Sequence, residues 1–118
     1  MAKKILIVED DQQCIKLYEY FLGNYELSIV ESVEMAISCL TDSKYDLLIV
    51  DLRLQGNMNG ADLIQYIKQN NIRVNYLVVS AFIHSGSFEE TMVNIGEDHV
   101  MAKPIDFKTL KAKIKGLL

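Results

Sequence analysis

The sequence predicts an α/β fold, a doubly wound five-stranded parallel sheet in the order 2-1-3-4-5 with five helices. Three observations lead there. Strand-like and helix-like segments alternate five times, with no repeat, low-complexity stretch or linker between them. Ile5–Val8, Leu47–Val50 and Tyr76–Val79 are unbroken apolar runs, as expected of strands covered on both faces. Glu26–Val30 mixes polar with apolar residues and His99–Ala102 is short, which suits sheet edges. Three central strands and two edges, placed first, third, fourth and second, fifth, give that order.

Each helix has its own signal. After Asp11, a good N-cap, Cys14, Leu17, Tyr18 and Phe21 fall on one helical face, and Gly23 supplies a stop. Val33, Ala36, Ile37 and Leu40 repeat the template after Ser32. Leu63, Tyr66 and Ile67 mark a third helix after Gly60. Ser87 with Glu90 forms a capping box ahead of Phe88, Met92 and Ile95, and Gly96 ends that helix. Asp106 caps the last helix, whose inner face is Phe107, Leu110, Ile114 and Leu117; Lys108, Lys111, Lys113 and Lys115 lie mostly outside, as a solvated face.

A chain of 118 residues predicts one domain, residues 1–118, large enough to fold without staples. Half the residues are apolar and the formal charge is −4, which argues against nonspecific nucleic-acid or acidic-membrane binding. Cys14 and Cys39 lack metal-ligand spacing and read as small buried or half-buried hydrophobes of a reducing compartment. Only four apolar residues follow Lys3-Lys4 before Glu9, too few for a signal core, and no run approaches a membrane span. The expected location is cytoplasmic.

Strands of such a sheet end along one carboxyl edge, where open α/β sheets bind ligands. The first ends in Glu9, Asp10 and Asp11, the third in Asp51, the fourth in Ser80, and the fifth in Lys103 and Pro104. Carboxylates gathered at the crevice between strands 1 and 3 repel one another unless a cation screens them. Mg²⁺ suits such oxygens and takes one or two direct carboxylates. Asp10 and Asp51 can supply these, with Glu9 acting through water and the Arg53 carbonyl adding an oxygen. A carboxylate beside Mg²⁺ can attack phosphorus, so Asp51 is a candidate nucleophile. Lys103 can carry a point charge to phosphoryl oxygens, aimed by a cis bond to the chain's only proline. Ser80 can donate a hydrogen bond there, with small Ala81 beside it. Asp11 is left as a helix cap. His84 and His99 have no third ligand in view and read as surface or edge residues.

Together these segments resemble the receiver domain of two-component response regulators, a family of flavodoxin-like fold. The matching text is Ile5-Leu-Ile-Val-Glu-Asp-Asp11, Asp46-Leu-Leu-Ile-Val-Asp51-Leu-Arg-Leu, Gly60, Val79-Ser80-Ala81 and Ala102-Lys103-Pro104. The resemblance implies that Asp51 accepts phosphoryl from a phosphohistidine on a sensor histidine kinase or phosphotransfer protein. It implies Mg²⁺ held by Asp10, Asp51 and the Arg53 carbonyl with Glu9 in support, and phosphoryl contacts from Ser80 and Lys103. It also implies a protein that catalyses only its own phosphorylation and dephosphorylation, and a downstream effector whose identity the sequence does not give. The chain departs from the family pattern in two places. The loop after Asp51 lacks a common proline and looks one residue longer. Val100, three before Lys103, stands where many members place a switching Tyr or Phe; neighbouring His99 would face the other way in a regular strand. Signal exit is therefore expected through Ser80, the Ala81–Ser87 loop and the Ser87–Ile95 helix.

Other functions fit less well. A small Mg²⁺-dependent aspartyl phosphatase of the haloacid-dehalogenase type wants Asp-x-Asp after the first strand. An FMN binder wants a Ser/Thr-rich loop where this one is acidic, and a dinucleotide fold wants Gly-x-Gly-x-x-Gly. The alternative of a degenerate receiver used only for protein contacts is opposed by the intact Asp10, Asp51 and Lys103, and absent uptake of phosphoryl from a small donor would revive it.

Overall fold

The computed structural model describes residues 2–52, 54, 58–81 and 99–118. In chain order it contains β1 (Lys4–Val8), α1 (Gln12–Phe21), β2 (Glu26–Val30), α2 (Val33–Asp42) and β3 (Leu47–Asp51). There follow α3 (Gly60–Gln69), β4 (Asn75–Ser80), β5 (Val100–Ala102) and α4 (Phe107–Leu117). The sheet order is β2-β1-β3-β4-β5 and every pairing is parallel, as the sequence predicted. The expected Ser87–Ile95 helix and its caps lie outside the described residues.

Alternation along the strands builds two cores. Leu6, Val8, Leu48, Val50, Val78 and Val100 face Val33, Ala36 and Leu40 of α2 and Leu63, Ile64 and Ile67 of α3. Ile5, Ile7, Leu47, Ile49, Leu77, Val79 and Met101 face Tyr18 of α1, Leu22, and Leu110 and Ile114 of α4. Both faces of the sheet are thus covered, which explains why β1, β3 and β4 read as continuous apolar runs. No described helix is long and apolar enough to cross a membrane.

Asp11, Ser32 and Asp106 cap their helices as expected, accepting from Gln13, Met35 and Lys108 backbone N–H groups. Lys108, Lys111 and Lys115 are exposed, and Phe107 and Leu117 pack half-buried against the core. Three expectations are corrected. Leu17 does not join the inner face of α1: it is 45% exposed, because a step of about 100° carries it away from buried Tyr18. Helix α1 stops at Phe21 with Leu22 as its cap, and Gly23 does not use the left-handed region. β5 begins at Val100, and His99 before it does not turn to the opposite face. Its ring lies 4.6 Å from that of Tyr76, which packs with Val100's cluster, and its Nδ1 is 2.9 Å from the Tyr76 carbonyl. The alternation rule fails there because His99 precedes the strand.

Candidate functional site

The β1 ladder runs one residue past the strand, Glu9 N–H donating to the Val30 carbonyl at 2.9 Å. The chain then turns into α1, so Glu9 and Asp10 stand at the carboxyl edge of a central strand. Val8 pairs with Val50, which brings Asp51 level with Glu9 on the neighbouring strand. Asp51 itself pairs with Val79, leaving Ser80 one step further along β4. Ser80 is fully buried and pairs with Ala102, and its carbonyl accepts the Lys103 N–H at 3.0 Å. Lys103 thus starts from the fourth and fifth strand ends, and its bond to Pro104 is cis, as expected.

Lys103 Nζ lies 2.7 Å from Glu9 Oε1 and 2.7 Å from Asp51 Oδ2. Exposure of the three side chains is 19% for Lys103, 11% for Asp51 and 1% for Glu9. The other Glu9 oxygen, Oε2, accepts from the backbone N–H groups of Asp10 at 3.1 Å and Asp11 at 3.3 Å. A buried carboxylate is tolerated only when charged and polar partners surround it, and Glu9 has both. Burial alone would pull the Lys103 ammonium down, but the hydrogen bonds and charges of Asp51 and Glu9 outweigh it and hold the pKa above its ordinary value. Lys103 is a fixed cation at neutral pH.

One carboxylate oxygen each from Glu9, Asp10 and Asp51 come within 4.8 Å of one another. Direct ligands of an octahedral Mg²⁺ at about 2.1 Å stand at most about 4.2 Å apart, so this spacing suits two direct carboxylates, Asp10 and Asp51, with Glu9 reached through water. The donor set is all oxygen, which suits a hard cation. Arg53 lies outside the described residues; every other predicted site residue stands at this one sheet edge.

Two further features escaped sequence reasoning. Gly60 opens α3 directly against the acceptor strand: its N–H donates to the Leu52 carbonyl at 3.0 Å, and a Cβ there would lie 2.5 Å from the Asp51 carbonyl oxygen. The helix is started by Asn59, whose side chain caps Asp62 N–H while Asp62 caps Asn59 N–H, a capping box with an unusual Asp in the third position. The second feature is Cys14 in the first turn of α1. It is half-buried and free, like Cys39. Burial, reinforced by a hydrogen bond and charge from Glu9, pushes its thiol up to about 12. Tyr18, one turn on, is also held above its ordinary range, first by burial and then by Cys14 and Glu9. A cysteine in an apolar helical face carries no sign that it sits beside a buried carboxylate.

The family model described as the response regulator receiver domain matches residues 5–115. The response regulator ArlR of Staphylococcus saprophyticus is 30% identical over 118 residues, covering 98% of this chain and 52% of that protein. The signal receiver domain of a protein described as a LuxO repressor from Vibrio parahaemolyticus superposes with a TM-score of 0.87 at 28% identity. That match covers 99% of this chain and 90% of the other. The response regulator TrrA of Thermotoga maritima, solved in complex with Mg²⁺-BeF, gives a TM-score of 0.84 at 27% identity, covering 98% of this chain and 99% of that one. The chain spans about half the length of the curated relatives it matches.

Proposed function

This chain belongs to the response regulator receiver domain family of two-component signalling, and from that premise we propose that Asp51 is its phosphoryl acceptor. The supporting observation is the bridge in which one partly buried ammonium, Lys103, joins Asp51 to Glu9 beside Asp10. A carboxylate oxygen of Asp51 attacks phosphorus, the N–P bond of a partner's phosphohistidine breaks, and the imidazole leaves with the bonding pair. Asp51 is oriented for this by its place at the end of β3 and by the Lys103 ammonium on Oδ2. Lys103 then transfers its hydrogen bond to the phosphoryl group and balances its charge. Ser80 donates its hydroxyl to the same group.

Asp10 and Asp51 would hold Mg²⁺, with Glu9 in support through water and the Arg53 carbonyl as a further oxygen. When bound, the ion supplies positive charge against the phosphoryl oxygens. The chain acts on no other substrate; it promotes only its own phosphorylation and the return to free Asp51. Its donor is a sensor histidine kinase or phosphotransfer protein, and its output passes to an effector through Ser80 and the segment that follows it. The site is reached from the cytoplasm, where such donors work.

The test is transfer from radiolabelled, autophosphorylated histidine kinases to this chain and to its Asp51→Asn and Asp10→Asn variants, with Mg²⁺ present. Rapid transfer from a cognate kinase, abolished by Asp51→Asn and greatly slowed by Asp10→Asn, supports the reading. Undiminished transfer to Asp51→Asn places the acceptor elsewhere.

A further inference from the structure

We infer that the outer edge of β2 is a docking site for a basic, extended segment of a partner protein, which adds to the sheet as a sixth strand. The inference does not rest on the acceptor role of Asp51.

The sheet ends at β2, which pairs with β1 alone. An edge strand offers its outward main-chain donors and acceptors to another chain. Successive residues of a strand turn those groups to opposite sides. Glu26 N–H donates inward to the Lys3 carbonyl at 2.9 Å, and the Val30 carbonyl accepts inward from Glu9 N–H at 2.9 Å. Leu27 and Ile29, in the alternate register, therefore turn their N–H and C=O groups outward, where among the described residues no strand meets them.

The side chains on this edge are also open to a partner. Tyr25, Leu27 and Ile29 pack only half-buried on the α1 side of the sheet. With Ile15 of α1 they form the apolar part of an open groove of about 610 Å³. Exposed Glu19 of α1 and Glu31, just past β2, line the same groove. Gln12 Nε2 donates to Glu31 Oε1 at 2.9 Å, which keeps that carboxylate at the rim. Among the described residues no lysine or arginine lines the groove.

Those charges select the occupant. Two glutamates attract Lys or Arg and repel an acidic chain. They do not form a metal site: among the described residues, the acidic group close enough to share one ion is Glu9, Asp10 and Asp51. A second copy of this chain would bring its own Glu26 and Glu31, and a net charge of −4, against the same rim. A basic strand meets no such repulsion. It lies about 4.8 Å from β2, and every second side chain enters the groove. Apolar residues cover Leu27 and Ile29, and basic ones at either end reach Glu19 and Glu31. In strand addition the main chain supplies affinity and the alternate side chains supply specificity.

The probe is a blocked peptide, Arg-Thr-Val-Thr-Val-Thr-Arg, titrated into the ¹⁵N-labelled protein. The Leu27 and Ile29 amides should shift and exchange more slowly with solvent, with a Kd of about 0.1–1 mM. Replacing both Arg of the peptide by Glu should remove binding. N-methylating one of the two alternate sets of peptide amides, which keeps its charge and side chains, should also remove it, because one set faces β2. The double variant Glu19→Lys, Glu31→Lys should bind the Arg peptide at least about tenfold more weakly, since two attractions become repulsions. No shift at Leu27 and Ile29 with about 2 mM Arg peptide overturns the inference. Equal binding of the Arg and Glu peptides overturns it too, as does binding that survives N-methylation of either set, which would be charge attraction without strand addition. A peptide-free protein that dimerises in sedimentation and protects the Leu27 and Ile29 amides makes the occupant a second copy and also overturns it. The peptide arms decide the matter even if the double variant does not fold.

Discussion

Gly60→Ala is a one-methyl change with consequences that can be worked out from backbone positions. The new Cβ would sit 2.5 Å from the Asp51 carbonyl oxygen and 2.8 Å from Leu52 Cα. Ordinary contact begins at 3.4 Å, so α3 and the end of β3 must part by 3.4 − 2.5 = 0.9 Å. Both sides are backbone, and no side chain can rotate out of the way. The separation also stretches the Gly60 N–H bond to the Leu52 carbonyl, now 3.0 Å. Overpacking of this kind costs about 1–3 kcal/mol. Better helix propensity returns up to about 1 kcal/mol. The net loss lies at about 0–3 kcal/mol, centred at about 1.5 kcal/mol, and that centre corresponds to a Tm lower by roughly 4–10 °C. Asp51 is the residue displaced, so Mg²⁺ affinity should weaken as well. Gly116→Ala is the control, because a Cβ there meets nothing within 4 Å and should leave stability equal or slightly raised. Thermal unfolding with and without Mg²⁺, alongside Mg²⁺ titration, measures both effects. A Gly60→Ala protein as stable as wild type, binding Mg²⁺ equally well, would refute the reasoning.

Lys103→Met leaves Glu9, 1% exposed, facing Asp51 with no cation between them. Breaking such a pair should cost about 3 kcal/mol, near the low end for buried pairs because Lys103 is 19% exposed. Mg²⁺ should then raise the variant's Tm more than the wild type's; equal stability of the two cation-free proteins would contradict this. The Cys14 thiol, pushed up to about 12 mainly by burial, keeps its proton in the folded protein when the unfolded thiol has lost it above pH about 8.5. That contribution to stability is complete below pH about 8.5 and declines as pH rises toward 12, with Tyr18 acting in the same direction. Denaturant midpoints between pH 7 and 11 should therefore fall less steeply in Cys14→Ala; identical slopes would show that the thiol titrates as if exposed. Asn59→Ala removes half of the α3 capping box and should cost about 1 kcal/mol in urea unfolding, with Asp62→Ala adding little more because the two caps act together.

The sheet order was legible because burial on both faces leaves an unmistakable mark on β1, β3 and β4, and because β2 and β5 lack it. The gathering of the candidate site residues was legible for a related reason: polar residues that end apolar strands must share one edge. Glu9, Asp10, Asp51, Ser80 and Lys103 followed from that rule and are found there. What escaped notice depends on contacts between elements. Nothing in the text around Gly60 says that a helix begins against the Asp51 carbonyl. Cys14 reads as apolar, and only the fold sets it beside Glu9. Leu17 shows the limit of periodicity, which finds a helical face but not its margin. His99 shows that alternation fails one residue outside a strand. The partnership of Glu9 with Lys103, 94 positions apart, is a tertiary fact that no local pattern encodes.

The most direct test of the central claim is to incubate the protein with acetyl phosphate and Mg²⁺ and locate the modification by intact-mass and peptide mass spectrometry. The predicted result is a single added phosphoryl group, about 80 Da by mass, on the peptide containing Asp51. It should be labile to base, absent without Mg²⁺, and absent in Asp51→Asn. Modification that persists in Asp51→Asn, or a folded wild-type protein that takes up no phosphoryl from this donor or from any histidine kinase, would contradict it.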